Sequence, residues 1–196
     1  MKSFKLNIRP TQKTELKTLH SISVQTFKET FEDQNTEENI AIYLKNQLSQ
    51  ERINKEFENL NTVFYFAYYN EALVGYLKLN FNEAQTEAVL NGEGYEIQRF
   101  YILRFYQKKR LGSQLLEQAI KIGRNKGYKF MWLGVWELNY KALKFYKKKK
   151  FEVFDSHNFQ LGDEKQTDIL MKLKIQAKRV GLHHLLPHFH QRHHLD

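Results

Sequence analysis

The stretch with the plainest chemical promise is Gln107-Lys108-Lys109-Arg110-Leu111-Gly112-Ser113. It joins an aromatic, β-branched run, Ile97 to Phe105, to a segment whose apolar residues recur at helical spacing: Leu111, Leu115, Leu116, Ala119, Ile120 and Gly123. A short basic turn that feeds a helix N-terminus is an anion site. Several backbone N–H groups lack helical acceptors there, the dipole end is positive, and the side chains add charge. That is the chemistry of a pyrophosphate cradle. A solvated basic turn between a core strand and an amphipathic helix would have the same composition, so the rest of the chain has to decide.

With 196 residues, the chain reads as one domain, residues 1–175, followed by a basic, His-rich tail, 176–196. Hydrophobic residues at 41% and aromatics at 14% exclude a disordered chain. Cysteine is absent, which excludes disulfides, thiolate metal sites and cysteine nucleophiles. There is no secretory h-region and no apolar run of spanning length, so the expectation is a cytoplasmic protein that does not enter a membrane. The net charge of +9 asks for a polyanionic partner, either nucleic acid or a small phosphorylated cofactor. The excess gathers in Lys108 to Arg110, Lys141 to Lys150 and Lys172 to Arg179, whereas Glu29, Glu32, Asp33, Glu37 and Glu38 bias the N-terminal third the other way. An anionic cofactor on one side and a cationic substrate on the other would fit; so would two ordinary solvated faces. The tail holds six of the eight histidines, and the preferred reading is an unpacked extension without metal.

The elements that must position the turn follow from period and punctuation. Phe4 to Arg9 reads as a strand ended by Pro10, and Thr11 to Phe31 as a helix whose face is Leu16, Leu19, Ile22, Ser23, Thr26, Phe27 and Thr30. Asn35 can cap a second helix, with Glu38 placed for a capping box, and Ser49 a third. Val63 to Tyr69 and Leu73 to Phe81 are strands joined by a tight turn, and Asn82 to Gly94 is a loop. After the central strand, turn and helix, Gly127 stands where a C′ residue belongs. Lys129 to Trp136 is a strand covered on both faces, Asn139 to Lys149 a short helix, and Phe151 to Phe154 and Asp168 to Lys174 are the last strands. The order, βααα–ββ–β–α–β–α–ββ, makes a mixed α/β domain with a parallel βαβ core.

Two motifs carry a resemblance. Gln107-Lys108-Lys109-Arg110-Leu111-Gly112 before a helix resembles the [Arg/Gln]-x-x-Gly-x-[Gly/Ala] motif of the GNAT superfamily of acyl-CoA-dependent N-acyltransferases. Asn139, Ala142 and Tyr146, followed by Lys147, Lys148 and Phe151, match its Asn-x-x-Ala-x-x-x-Tyr signature, 32 residues further on. The segments FKETFEDQNTEENIAIYL, YEIQRFYI, WLGVWELN and LGDEKQTDILM are similar to the PaiA type of spermidine/spermine acetyltransferase. The resemblance spans about Phe27 to Leu173 and implies a central mixed sheet of six or seven strands flanked by helices.

It also implies chemistry: acetyl-CoA as acyl donor, no metal, and direct attack by a primary amine, for which a polyamine such as spermidine or spermine is expected. By match, backbone amides between Gln107 and Ser113 hold the pyrophosphate, with Lys108 and Lys109 adding charge. The pantetheine arm pairs with main chain near Tyr101 and Ile102, where a bulge frees an amide for the thioester oxygen. Asn139 contacts the cofactor arm or caps its helix. Tyr146 is the general acid, a phenol that stays protonated at neutral pH. The acceptor amine is only about 0.04% neutral at pH 7, so a base is needed. Gln98 stands where related polyamine enzymes often have a glutamate, which leaves Glu96, two residues earlier, as the candidate. Phe27, Phe31, Glu32 and Glu137 are expected to hold the acceptor's ammonium groups by charge and cation–π contact. Arg110 and Lys150 stand where the family has glycines; a positive φ there would cost about 1–2 kcal/mol each. Acetylation of a peptide N-terminus or lysine remains open, as does a basic regulator that binds nucleic acid, although no helix-turn-helix, zinc-finger or RNP pattern accompanies the basic runs. The resemblance leaves room for a homodimer.

Overall fold

β-Branched and aromatic runs pair into one sheet of seven strands in the order β1-β2-β3-β4-β5-β7-β6. The strands are β1 (Asn7–Pro10), β2 (Thr62–Tyr69), β3 (Ala72–Asn80), β4 (Gly94–Ile102), β5 (Phe130–Trp136), β6 (Glu152–Leu161) and β7 (Glu164–Lys174). A computed structural model describes residues 5–161 and 164–175. The expected strand residue Phe4 and the His-rich and basic tail from 176 onward lie outside the described residues. No described helix is long and apolar enough to cross a membrane.

The helices are α1 (Leu16–Phe31), α2 (Glu37–Gln47), α3 (Gln50–Glu58), α4 (Leu111–Asn125) and α5 (Tyr140–Lys148). β4 and β5 run parallel, as a right-handed crossover through α4 requires, and every other neighbouring pair is antiparallel. α4 and α5 cover one face: Leu111, Leu115, Leu116 and Ala119 of α4 pack on Tyr95, Ile97, Met131 and Leu133. α1 and α3 cover the other, with Leu19, Ile22 and Ile53 against Phe64, Phe66 and Tyr76. Both faces of β5 are therefore buried, except at Gly134.

The pattern read from the sequence holds for the helix faces, but several ends differ. Thr36, not Asn35, caps α2: its side chain accepts from the Asn39 amide at 3.2 Å. Asn35 instead donates to the Phe31 carbonyl (2.9 Å) and closes α1. Pro10 is the last residue of β1 rather than its stop, and a 3-10 turn precedes α1. β4 ends at Ile102, because Leu103 donates the final rung to Val74 (2.8 Å) and Arg104–Tyr106 then form a 3-10 turn. β6 and β7 make a hairpin far longer than expected. Its edge strand carries Asp155, Ser156, His157 and Asn158, polar residues that read as loop in isolation.

Candidate active site

The parallel ladder between β4 and β5 is short: Gly94, Tyr95 and Glu96 pair with Phe130, Met131 and Trp132, and the strands then splay. The gap opens into two clefts, one on each face of the sheet. The larger, about 820 Å³, is walled by Phe100 and Ile102 of β4, the Lys108–Ser113 turn, and Asn139, Lys141, Phe145 and Tyr146 of the α5 region. The smaller, about 470 Å³, lies under α1 and α2. Tyr101 lines both, at the point where they meet.

In the larger cleft the turn behaves as its sequence suggests. Gln114 donates the first helical bond of α4 to the Arg110 carbonyl (3.4 Å), so the amides of Leu111, Gly112 and Ser113 lie ahead of any helical acceptor. The turn gets its shape from two left-handed residues, Lys108 (φ 64°) and Arg110 (φ 59°). Arg110 thus pays in strain what the family's glycine avoids. A Cβ on Gly112 would come no closer than 3.8 Å to any protein atom, so nothing in the chain itself requires a glycine there. The space it leaves faces the cleft, which fits a phosphate group drawn up against the helix end. Gln107 braces the turn: its Nε2 donates to the Ile102 carbonyl (2.9 Å), and its Oε1 accepts from Lys141. Lys109 points away from the cleft, its ammonium 5.0 Å from the ring centroid of Phe105 and 5.1 Å from that of Tyr106.

On β4 the bulge sits at Gln98, not near Tyr101 and Ile102: Leu79 pairs with Ile97 and Lys78 with Arg99. Beyond it, Leu103 bonds β3, and by the alternation of an antiparallel ladder Phe100 and Ile102 turn their amides the other way, toward the splayed gap. The main-chain edge offered to a ligand is therefore Phe100 and Ile102, while Tyr101 offers its ring.

Tyr146 is buried in an aromatic box of Phe100, Phe145 and Phe151, with centroids 5.2–6.1 Å away. Its place depends on how α5 ends. Lys150 is left-handed (φ 70°), the Lys150 amide donates to the Lys147 carbonyl (3.0 Å), and the Phe151 amide donates to that of Tyr146 (3.0 Å). This is a Schellman cap, and it fixes the residue that carries the phenol. Burial holds the Tyr146 phenol well above its ordinary pKa. Asn139 caps the other end of α5, its Oδ1 accepting from the Ala142 amide (3.1 Å), and still borders the cleft.

The smaller cleft combines aromatics with acids. Phe27 stacks on Tyr43 at 4.2 Å, Phe31 leans on Trp136 at 5.9 Å, and Trp132 completes the wall. Three carboxylates, Glu87, Glu96 and Asp168, line it. Glu96 is saturated: Oε2 accepts from Asn80 Nδ2 and the Thr86 amide (both 2.9 Å), and Oε1 from Thr86 Oγ1 (2.6 Å). Burial nevertheless raises its pKa. Asp168, pushed by burial up to about 6, lies across the β6–β7 ladder from His157.

Of the expected acceptor residues, the structure brings Phe27 and Phe31 to this cleft and leaves two outside it. Glu32 is exposed and lies 3.9 Å from the Arg104 guanidinium; the exposed Glu137 donates its amide to the Thr167 carbonyl (2.9 Å). Sequence reasoning missed Tyr43, Glu87, Trp132, Trp136, His157 and Asp168, which come from five separate segments. No local spacing links them.

The family model described as the Acetyltransferase (GNAT) family matches residues 17–151. An uncharacterized N-acetyltransferase from the pepI 3′ region of Lactobacillus delbrueckii subsp. lactis is 38% identical over 152 residues, 78% of this chain and 87% of that protein. The spermidine N(1)-acetyltransferase of Thermoplasma acidophilum is 28% identical over 165 residues, 82% of this chain and 97% of its own. Among solved structures, the PaiA N-acetyltransferase of Thermoplasma acidophilum in complex with coenzyme A superposes with a TM-score of 0.70 at 26% identity, covering 87% of this chain and 99% of that one.

Proposed function

The chain belongs to the GNAT family of acetyltransferases, and on that premise we propose that it moves the acetyl group of acetyl-CoA, the family's donor, onto a primary amine of a small aliphatic polycation such as spermidine or spermine. The observation that carries the acceptor is the smaller cleft under α1 and α2, with three carboxylates set among aromatic walls. Carboxylates attract the ammonium groups, and ring faces hold both the charge and the methylene chain between charges.

The amides of Leu111, Gly112 and Ser113, with Lys108, Arg110 and Lys141 around them, hold the diphosphate of the donor, while Gln107 keeps the turn in place and Lys109 adds charge behind it. Phe100 and Ile102 present main chain to the pantetheine arm, and Asn139 borders its path. Tyr101, at the junction, separates arm from acceptor. Tyr146 gives its proton to the departing sulfur. Burial makes the phenol a weaker acid than in water, and the same apolar box raises the proton affinity of a thiolate formed inside it, which offsets part of that cost. Glu96 supplies fixed negative charge to the acceptor wall, its three hydrogen bonds holding it in place. Phe27 and Phe31 form the opposite wall.

The test is release of free thiol from acetyl-CoA with a panel of spermidine, spermine, monoamines and peptides. Polyamines are expected to lead the panel by about tenfold or more in kcat/KM. Preference for a peptide N-terminus or lysine would replace this acceptor reading with a protein one.

A further inference from the structure

An ammonium cannot attack a thioester, and the acceptor's proton must go somewhere. Glu96 is poorly suited to take it, because three chain donors already occupy its oxygens at 2.6–2.9 Å. Asp168 differs. Among the described residues no hydrogen-bond donor reaches its carboxylate, and the nearest cationic group is His157 Nε2, 3.8 Å from Oδ2. Across β5, Gly134 leaves the carboxylate uncovered: a Cβ there would stand 3.3 Å from Asp168 Oδ2. Behind His157 lies Glu87, Oε1 at 3.2 Å from Nδ1, a buried nitrogen that lacks a hydrogen bond. Glu87 is itself half exposed, at 39%. Carboxylate, imidazole and carboxylate are thus neighbours in the acceptor cleft, and their exposure rises from Asp168 through His157 to Glu87.

We propose that Asp168, backed by His157 and Glu87, is the base that takes the proton of the acceptor amine. The inference rests on the amine acetyltransferase reading above and names the group that reading leaves open. The ammonium gives one proton to Asp168. The freed lone pair forms the C–N bond at the thioester carbon. The C–S bond breaks with its electron pair on sulfur, which takes the Tyr146 proton. The second nitrogen proton, lost from the tetrahedral intermediate, returns to the Tyr146 phenolate through water. The proton on Asp168 leaves to water past the partly exposed His157 and Glu87. One ammonium and one thioester become one amide, one thiol and one proton in solution.

The groups that face Asp168 are His157 on β6, Tyr43 on α2, Glu96 on β4 and Glu87 ahead of β4, while α1 presents Phe27 and Phe31. Burial sets the Asp168 carboxyl at about 6 and the charge of His157 pulls against it, so the carboxylate is ionised at neutral pH yet close enough to neutrality to accept a proton.

The experiment is kcat/KM for spermidine between about pH 5 and 10 in the parent, Asp168→Asn, His157→Gln and Glu96→Gln, with acetyl-CoA affinity measured by calorimetry. The parent should show an acidic limb near pH 6. Asp168→Asn should lose roughly 100-fold at neutral pH, keep its acetyl-CoA affinity, and climb with pH toward the amine's own pKa, about 10.4. Glu96→Gln should keep the acidic limb. An Asp168→Asn enzyme within about threefold of the parent, or one that keeps the limb, overturns the proposal. If that variant does not fold, His157→Gln decides, because His157 lowers the Asp168 carboxyl and its loss should move the limb upward; an unmoved limb overturns the proposal. A parent that acetylates no amine defeats the functional reading itself, and the two failures are thereby distinct.

Discussion

Glu96 and Tyr101 present their side chains to the same cleft although an odd number of positions separates them along β4. The extra residue at Gln98 resets the alternation: Ile97 pairs with Leu79, Arg99 with Lys78, and everything after the bulge is turned over. Without it, Tyr101 would face α4 and the main-chain edge of Phe100 and Ile102 would turn toward β3. One inserted residue thus puts the acceptor wall, the junction ring and the free strand edge in register.

Removing the phenol should separate chemistry from binding. Tyr146→Phe keeps the aromatic box and deletes only the donor, so kcat should fall about 100-fold while acetyl-CoA affinity by calorimetry stays within about twofold. Unchanged turnover would take the acid role from Tyr146.

The two left-handed cations should respond differently to glycine. Lys150→Gly relieves the αL penalty in a cap whose hydrogen bonds are all main-chain, so urea unfolding should show a gain of about 1 kcal/mol with kcat unaltered. Arg110→Gly should gain similar stability but lose a guanidinium at the cradle, weakening acetyl-CoA binding several-fold, an effect that shrinks as salt is raised.

Glu56 holds two buried cations at once, Arg99 at 2.7 Å and Lys78 at 3.0 Å. Burial alone would raise its carboxyl; Arg99 and Lys78 outweigh that and lower it. Burial and Arg99 push the Lys78 ammonium down to about 7 even with Glu56 beside it, so Glu56→Gln leaves Lys78 neutral and the Arg99 guanidinium without its carboxylate, and unfolding free energy should drop by about 3–5 kcal/mol. A loss under about 1 kcal/mol would mean that water reaches the cluster.

Asp168 should trade stability for activity. Its folded pKa, about 6, lies above the ordinary value of 3.8, so its contribution is fully present below pH about 4 and is lost as pH rises through about 6. At neutral pH the buried charge costs up to about 3 kcal/mol. Asp168→Asn should therefore raise the urea midpoint near pH 8 and leave it nearly unchanged near pH 4, while the same protein loses turnover. Equal midpoints at both pH values would show that the carboxylate is solvated.

What local sequence could carry, it carried. The helix faces of α1 and α4, the Ser49 cap, the Gly127 terminus and the basic turn are set by spacing within about one turn of chain, and so was the Asn139–Tyr146 motif. The positive φ of Arg110 and Lys150 was legible as well, because each stands where the resembled family has a glycine. The acceptor side was legible only in Phe27, Phe31 and Glu96. Phe27, Tyr43, Glu96, Trp136, His157 and Asp168 meet only after α1 and α2 fold over the sheet and the β6–β7 hairpin pairs with β5. An edge strand of polar residues has no apolar period to announce it, and a bulge leaves no mark in a run of aromatic and charged residues. The sequence determined where a helix end would meet basic neighbours, because both are local. Only the tertiary structure decided which carboxylates share a cleft with Tyr101, because that depends on strands brought together from more than 60 residues apart, such as β4 and β7.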